Sequence, residues 1–172
     1  MVAGNWMDGD GLYRQYGTSK AVPTTAGDYL SYGDTREIEF TLTPSTLLTT
    51  PAIQANTTIF PSNVLVESVT TVVDNVACAG GTSISIGLMN LDRSTVISNT
   101  AFLAAAVIAD HTSVGQTKTY TNGVATGGAY LGTVTNLTSN GAYITALVTG
   151  TYTGAGTIKV RIRYRGFGTI TQ

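Results

Sequence analysis

Between residues 157 and 165 every second side chain is apolar: Ile158, Val160, Ile162 and Tyr164 alternate with Lys159, Arg161, Arg163 and Arg165. Successive side chains of a strand point to opposite faces, so a period of two marks a half-buried strand, here dry on one face and cationic on the other. Such a strand needs neighbours for its backbone and a second apolar layer for its dry face. The same period appears at 36–43, where Ile38, Phe40 and Leu42 share one face. Val64–Val73, Ile84–Leu88 and Tyr143–Val148 read as further strands, Tyr130–Val134 as a weaker one, and Thr117–Thr121 as a polar strand ending at the turn Asn122-Gly123. Glycine-rich breaks such as Gly80-Gly81 and Gly154-Ala155-Gly156 separate them. Ala101–Ala109 is rich in helix formers and has no breaker. It is expected to form one short helix or turn across the open end of a sandwich, with a buried strand as the alternative.

About eight strands and one short helix predict an all-β fold: an antiparallel β-sandwich with an extended N-terminal arm. A jelly roll fits best by strand count. An immunoglobulin-like sandwich comes second, because the Cys…Trp…Cys spacing is missing. The expected domains are 1–35, the arm, and 36–172, the sandwich. The arm is rich in glycine and aromatics and has no clean periodicity. Trp6, Tyr13, Tyr16, Tyr29 and Tyr32 fall in it, and residues of this kind are enriched at interfaces. They are the candidate partner-binding residues, with a cluster covering the chain's own sheet as the alternative.

Composition excludes several classes. Only 11% of the 172 residues are charged, while 42% are hydrophobic. Disorder normally combines few apolar residues with high net charge. A net charge of -1 gives no electrostatic footprint for nucleic acid or for an acidic membrane surface. No stretch approaches the ~20 apolar residues of a membrane span, and the first residues do not read as a signal peptide. The single cysteine, Cys78, excludes an internal disulfide framework and is expected to be a buried thiol. Asn56-Thr57-Thr58 and Asn136-Leu137-Thr138 match the glycosylation sequon, which arises by chance in so threonine-rich a chain.

Catalytic patterns are absent. His111 is the only histidine. It adjoins Asp110, but no nucleophile elbow accompanies it, and it is expected in an exposed loop. No P-loop, HExxH or dinucleotide-binding glycine pattern occurs. Asp8-Gly9-Asp10-Gly11 lacks the remaining ligands of a calcium loop. Glu37, Glu39 and Glu67 are better read as solvated strand residues than as a glycosidase pair. No catalytic residue, metal ligand or cofactor is expected.

The scarce charge is unevenly placed. Lys159, Arg161, Arg163 and Arg165 form a basic stripe on the last strand, and residues 1–40 hold an excess of acids. In a jelly roll the first and last strands lie side by side. Glu37 and Glu39 would then oppose Arg161 and Arg163, and such cross-strand pairs add to sheet stability. The alternative is that the stripe meets an acidic patch on a partner.

Both chain ends carry a likeness. Asn5-Trp6-Met7, Asp10-Gly11-Leu12-Tyr13, Tyr16-Gly17-Thr18 and Gly27-Asp28-Tyr29-Leu30 resemble the start of small virion proteins of short-tailed bacteriophages. Ala142–Ala146 and Val160–Gly166 resemble the end of the same group. The likeness covers about half the chain. It implies a non-enzymatic capsid decoration, or cement, protein on the outer surface of the phage head. The partner would be the major capsid protein and the assembly a homo-trimer, with no nucleic acid, membrane, small-molecule substrate or cofactor. Two other readings stay open: a head or tail fibre adaptor anchored by its N-terminal arm, and a carbohydrate-binding β-sandwich module.

Overall fold

The structure, a computed structural model, describes residues 4–7, 13–16, 35–53, 59–135, 137 and 141–166. The chain divides into two compact units, Met1–Ser31 and Tyr32–Gln172. In the first, β1 (Gly4–Met7) and β2 (Tyr13–Tyr16) pair antiparallel, with Trp6 opposite Arg14 and Met7 opposite Tyr13. The segment read as an arm therefore contains a hairpin, and the Asp8–Gly11 run that joins its strands is rich in turn formers.

The second unit holds the remaining strands: β3 (Thr35–Leu42), β4 (Ala52–Ile53), β5 (Ile59–Pro61), β6 (Val64–Val73), β7 (Ala79–Gly80), β8 (Ser83–Met89), β9 (Val96–Val107), β10 (Thr117–Thr121), β11 (Gly141–Thr149), β12 (Tyr152–Thr153) and β13 (Ile158–Gly166). One sheet has the order β10-β6-β13-β3; the other has the order β4-β11-β8-β9, with β5 also on β11. β7 and β12 form a small separate ribbon. All pairings are antiparallel.

Because β4 and β5 both pair with β11, they act as one interrupted edge strand. Eight strands then build the sandwich. The first pairs with the eighth, the third with the sixth, the second with the seventh and the fourth with the fifth. Nested pairs of this kind arise when one long antiparallel hairpin is rolled around a barrel. This is the winding of a jelly roll.

The core forms where the inner files of the two sheets meet. Ile158, Val160 and Ile162 of β13 and Phe40 and Leu42 of β3 are buried, as are Ile84, Ile86 and Leu88 of β8 and Ala142, Ile144, Ala146 and Val148 of β11. Phe60 of β5 packs edge-on against Phe102 at 4.7 Å and Tyr164 at 5.3 Å, joining the two layers. β6 changes phase along its length. Val64 and Val66 face inward, then Val69, Thr71 and Val73 do so, and the register against β13 shifts between Arg163 and Tyr164. One extra residue in one strand is a β-bulge.

Three expectations are corrected. Ala101–Ala109 is not a helix: residues through Val107 belong to β9, and a 3₁₀ turn, Ile108–His111, follows. Hydrogen-bond partners on both edges override the helical preference of its alanines. β8 pairs along one edge. The loop 126–130 covers the other, through Ala104 N to Thr126 O and Gly128 N to Phe102 O. Three register shifts against β8 break the alternation of β9, and Ala105 in one of them adopts φ +53° with its N–H bound to Ser85 Oγ. Tyr130–Val134 is a run of turns rather than a strand, and only Val134 forms a bridge, with Leu65. His111 is fully buried, not exposed. Cys78 is buried, and β10 ends at Asn122-Gly123, with Val124 N bound to Thr121 O.

Candidate functional site

The most organised polar surface is the outer face of the β10-β6-β13-β3 sheet. Alternation along β13 puts Lys159, Arg161, Arg163 and Arg165 there, and pairing with β3 sets Glu39 opposite Arg161 and Glu37 opposite Arg163. Arg161 Nε donates to Glu39 Oε2 at 2.6 Å and lies 3.6 Å from Glu37. Arg163 turns the other way, to Glu67 on β6 at 3.2 Å, and Arg165 reaches the second oxygen of the same carboxylate at 3.2 Å. Lys159 pairs with Asp74 at 2.9 Å. Four cations therefore meet four carboxylates within the fold.

The β6 bulge explains the role of Glu67. The inserted residue lies outside the regular register, between the partners of Arg163 and Tyr164, and so meets two arginines of the neighbouring strand. Glu67 and Asp74 are the members of this ladder that sequence reasoning missed. The signal available was the change of parity along Val64–Val73. Glu39 raises the pKa of Arg161, and Asp74 raises that of Lys159, so both cations are held in their charged form. All these side chains are partly solvated, and exposed ion pairs add little stability individually. Their collective effect is to leave the face without excess charge. The residual surface is threonine: Thr117 and Thr119 of β10 oppose Val72 and Thr70 of β6, and the Thr70 and Thr119 hydroxyls lie 3.0 Å apart.

A second polar constellation lies at one end of the sandwich, where 108–116 crosses from one sheet to the other. His111 Nε2 is 3.1 Å from Thr71 Oγ1. Its main-chain carbonyl accepts from the N–H of Cys78 at 2.9 Å. Tyr120, also fully buried, donates its hydroxyl to Asp110 Oδ2 at 3.0 Å, and Lys118 Nζ lies 3.5 Å from Asp110 Oδ1. Burial, reinforced by Asp110, pushes the Tyr120 phenol far above its usual range. Burial lowers the His111 pKa against the weaker opposing pull of Asp110 and the Val107 backbone, and it raises that of the Cys78 thiol.

At the same end a cleft of about 240 Å³ is lined by residues including Pro44, Leu47, Leu48, Val148 and Tyr152. Tyr152 is its one titratable member, its phenol pushed up to about 12 by burial and then by Cys78. Among the described residues no group of three or more His, Cys, Asp or Glu side chains is placed to hold a metal ion.

The sequence-derived candidates fall into two sets. Glu37, Glu39, Lys159, Arg161, Arg163 and Arg165 are brought together in the ladder. Trp6, Tyr13 and Tyr16 are placed on the β1–β2 hairpin. Tyr29 and Tyr32 lie outside the described residues, as do Asp8, Asp10 and both asparagines of the two sequons.

No family model matches the chain, and no curated protein matches it. Chains of solved phage capsids are similar to it. One is in the capsid asymmetric unit of cyanophage Pam1, with a TM-score of 0.49 and 15% identity, covering 87% of this chain and 97% of that one. Another is in the acid-stable capsid of Helicobacter pylori bacteriophage KHP30, with a TM-score of 0.49 and 13% identity over 81% of this chain and 94% of that one. A third is in the capsid of Ralstonia phage GP4, with a TM-score of 0.48 and 15% identity over 88% and 92%.

Proposed function

We propose that this chain is a non-enzymatic virion protein of a short-tailed phage. It decorates the outer surface of the head and stabilises the shell by bridging adjacent subunits of the major capsid protein. The observation that carries this reading is the contrast between the two units. The sandwich neutralises its own charged face, Arg161 on Glu39 and Arg163 and Arg165 on Glu67, so it needs no ionic partner there. The separate N-terminal unit carries Trp6, Tyr13 and Tyr16 on a hairpin of its own. A rigid body and an aromatic-bearing extension are what a bridging protein needs. The likeness of both chain ends to small virion proteins of short-tailed phages supports the same role. A homo-trimer over a symmetric site would add avidity through repeated weak contacts.

The test uses the full chain with Trp6→Ala, Tyr13→Ala and Tyr16→Ala combined, mixed with emptied phage heads. Sedimentation with the heads should be lost while the cooperative melt of the sandwich is kept. Undiminished binding by the triple variant would refute the role given to the hairpin.

A further inference from the structure

We propose that His111 is an acid-sensitive latch: protonation of its ring releases the crossover 108–116 and the joint it makes with Cys78, while the two sheets stay folded. His111 stands where two of the connections between the sheets meet, the one from β6 to β8 and the one from β9 to β10. Its side chain reaches Thr71 on β6, and its carbonyl holds the N–H of Cys78 on the incoming connection. It lies within the 3₁₀ turn that carries the chain out of β9 towards β10. The ring is fully buried, and Nδ1 has no partner at hydrogen-bonding geometry. An imidazolium needs acceptors for two N–H groups, and burying an uncompensated cation costs far more than burying the neutral ring.

The Val107 backbone and Asp110 favour the charged ring, but burial outweighs them. Leu42, Ile84, Ile86, Leu103, Ile158 and Val160, from β3, β8, β9 and β13, line the space beside the ring. The charged and titratable groups near it are Asp110 on its own turn, Lys118 and Tyr120 on β10, and Cys78. Asp110 is the only anion among them, and its two oxygens are already engaged, by Tyr120 and by Lys118. The folded state therefore holds the ring neutral, in keeping with its lowered pKa. The open crossover takes up a proton near the ordinary histidine value of about 6.5, and the closed one does so only at lower pH. Closure is at full strength above that value and weakens as pH falls from it towards the folded pKa. Each unit of depression corresponds to roughly tenfold more opening.

The chain has one histidine, so its ring signal in a proton NMR titration needs no further assignment. The expected midpoint lies below about 6.5. Over the same pH range, hydrogen-exchange protection of 108–116 and of the Cys78 amide, corrected for intrinsic exchange, should fall by about tenfold or more. β8 and β11 should keep theirs. His111→Gln should make the protection of 108–116 independent of pH between 7.5 and 5. A midpoint at or above 6.5, protection that survives titration of the ring, or loss spread evenly over all strands would each overturn the proposal. If the variant does not fold, the titration and exchange of the unaltered chain decide the matter.

Discussion

Arg161 of β13 and Glu39 of β3 are register partners, and the guanidinium donates to the carboxylate at 2.6 Å across the first and last strands of the sandwich. This pair sits in the middle of the ladder that joins those two strands. Reversing one member, Glu39→Arg or Arg161→Glu, puts like charges opposite each other, which destabilises a sheet. Each single reversal should lower Tm by about 2 °C, and the double reversal should recover most of that loss, in a thermal melt followed by circular dichroism. Additive losses would mean that the pair is not coupled.

Tyr120→Phe removes the hydroxyl that satisfies one oxygen of Asp110. The expected cost is about 1–2 kcal/mol, read as a lower urea midpoint with an unchanged slope. A neutral result would show that water replaces the phenol at no cost.

Ala105 is exposed and holds φ +53° in a β9 bulge, a conformation that strains any residue with a Cβ. Ala105→Gly should match or exceed the parent stability, by up to about 1 kcal/mol. Ala105→Val should fall below it by a similar amount, because a β-branched side chain is a poorer fit to that region. Urea titration of the three proteins gives the order; a glycine variant clearly less stable than the parent would contradict it.

Gly128 lies against β9 so closely that an added Cβ would sit 2.3 Å from the Ala101 carbonyl oxygen and 2.4 Å from the Phe102 carbonyl carbon. Both are backbone atoms and cannot rotate away. Gly128→Ala should cost about 3 kcal/mol and release the loop from the edge of β9. Exchange of the Gly128 and Tyr130 amides, whose acceptors are Phe102 and Ala101, reports that release directly.

Much of this architecture is legible in the sequence, and the exceptions have physical causes. β3 and β13 read clearly because each has one wet and one dry face, so a period of two survives intact. Their adjacency follows from the jelly-roll winding, which also accounts for the opposition of Glu39 and Arg161. β9 is not legible, because bulges destroy its alternation and its alanines report a helical preference that the neighbouring backbones overrule. His111 reads as a loop residue because polar neighbours flank it, and only three dimensions show Thr71 and Cys78 closing over it. Glu67 could have been found from the parity change in β6. Its pairing with two arginines depends on a bulge whose position the sequence only brackets.

The partnering of Thr35 with Arg165, at one end of the β3–β13 ladder, has a mechanical consequence. Tension applied through the flanking segments would act across the strands rather than along them. The ladder would then open rung by rung, from Thr35–Arg165 towards Leu42–Ile158, as a zipper does. A force pressing on the broad faces instead meets the whole interlocked barrel at once. The β3–β13 ladder therefore gives way to tension at its Thr35–Arg165 end one rung at a time rather than all at once.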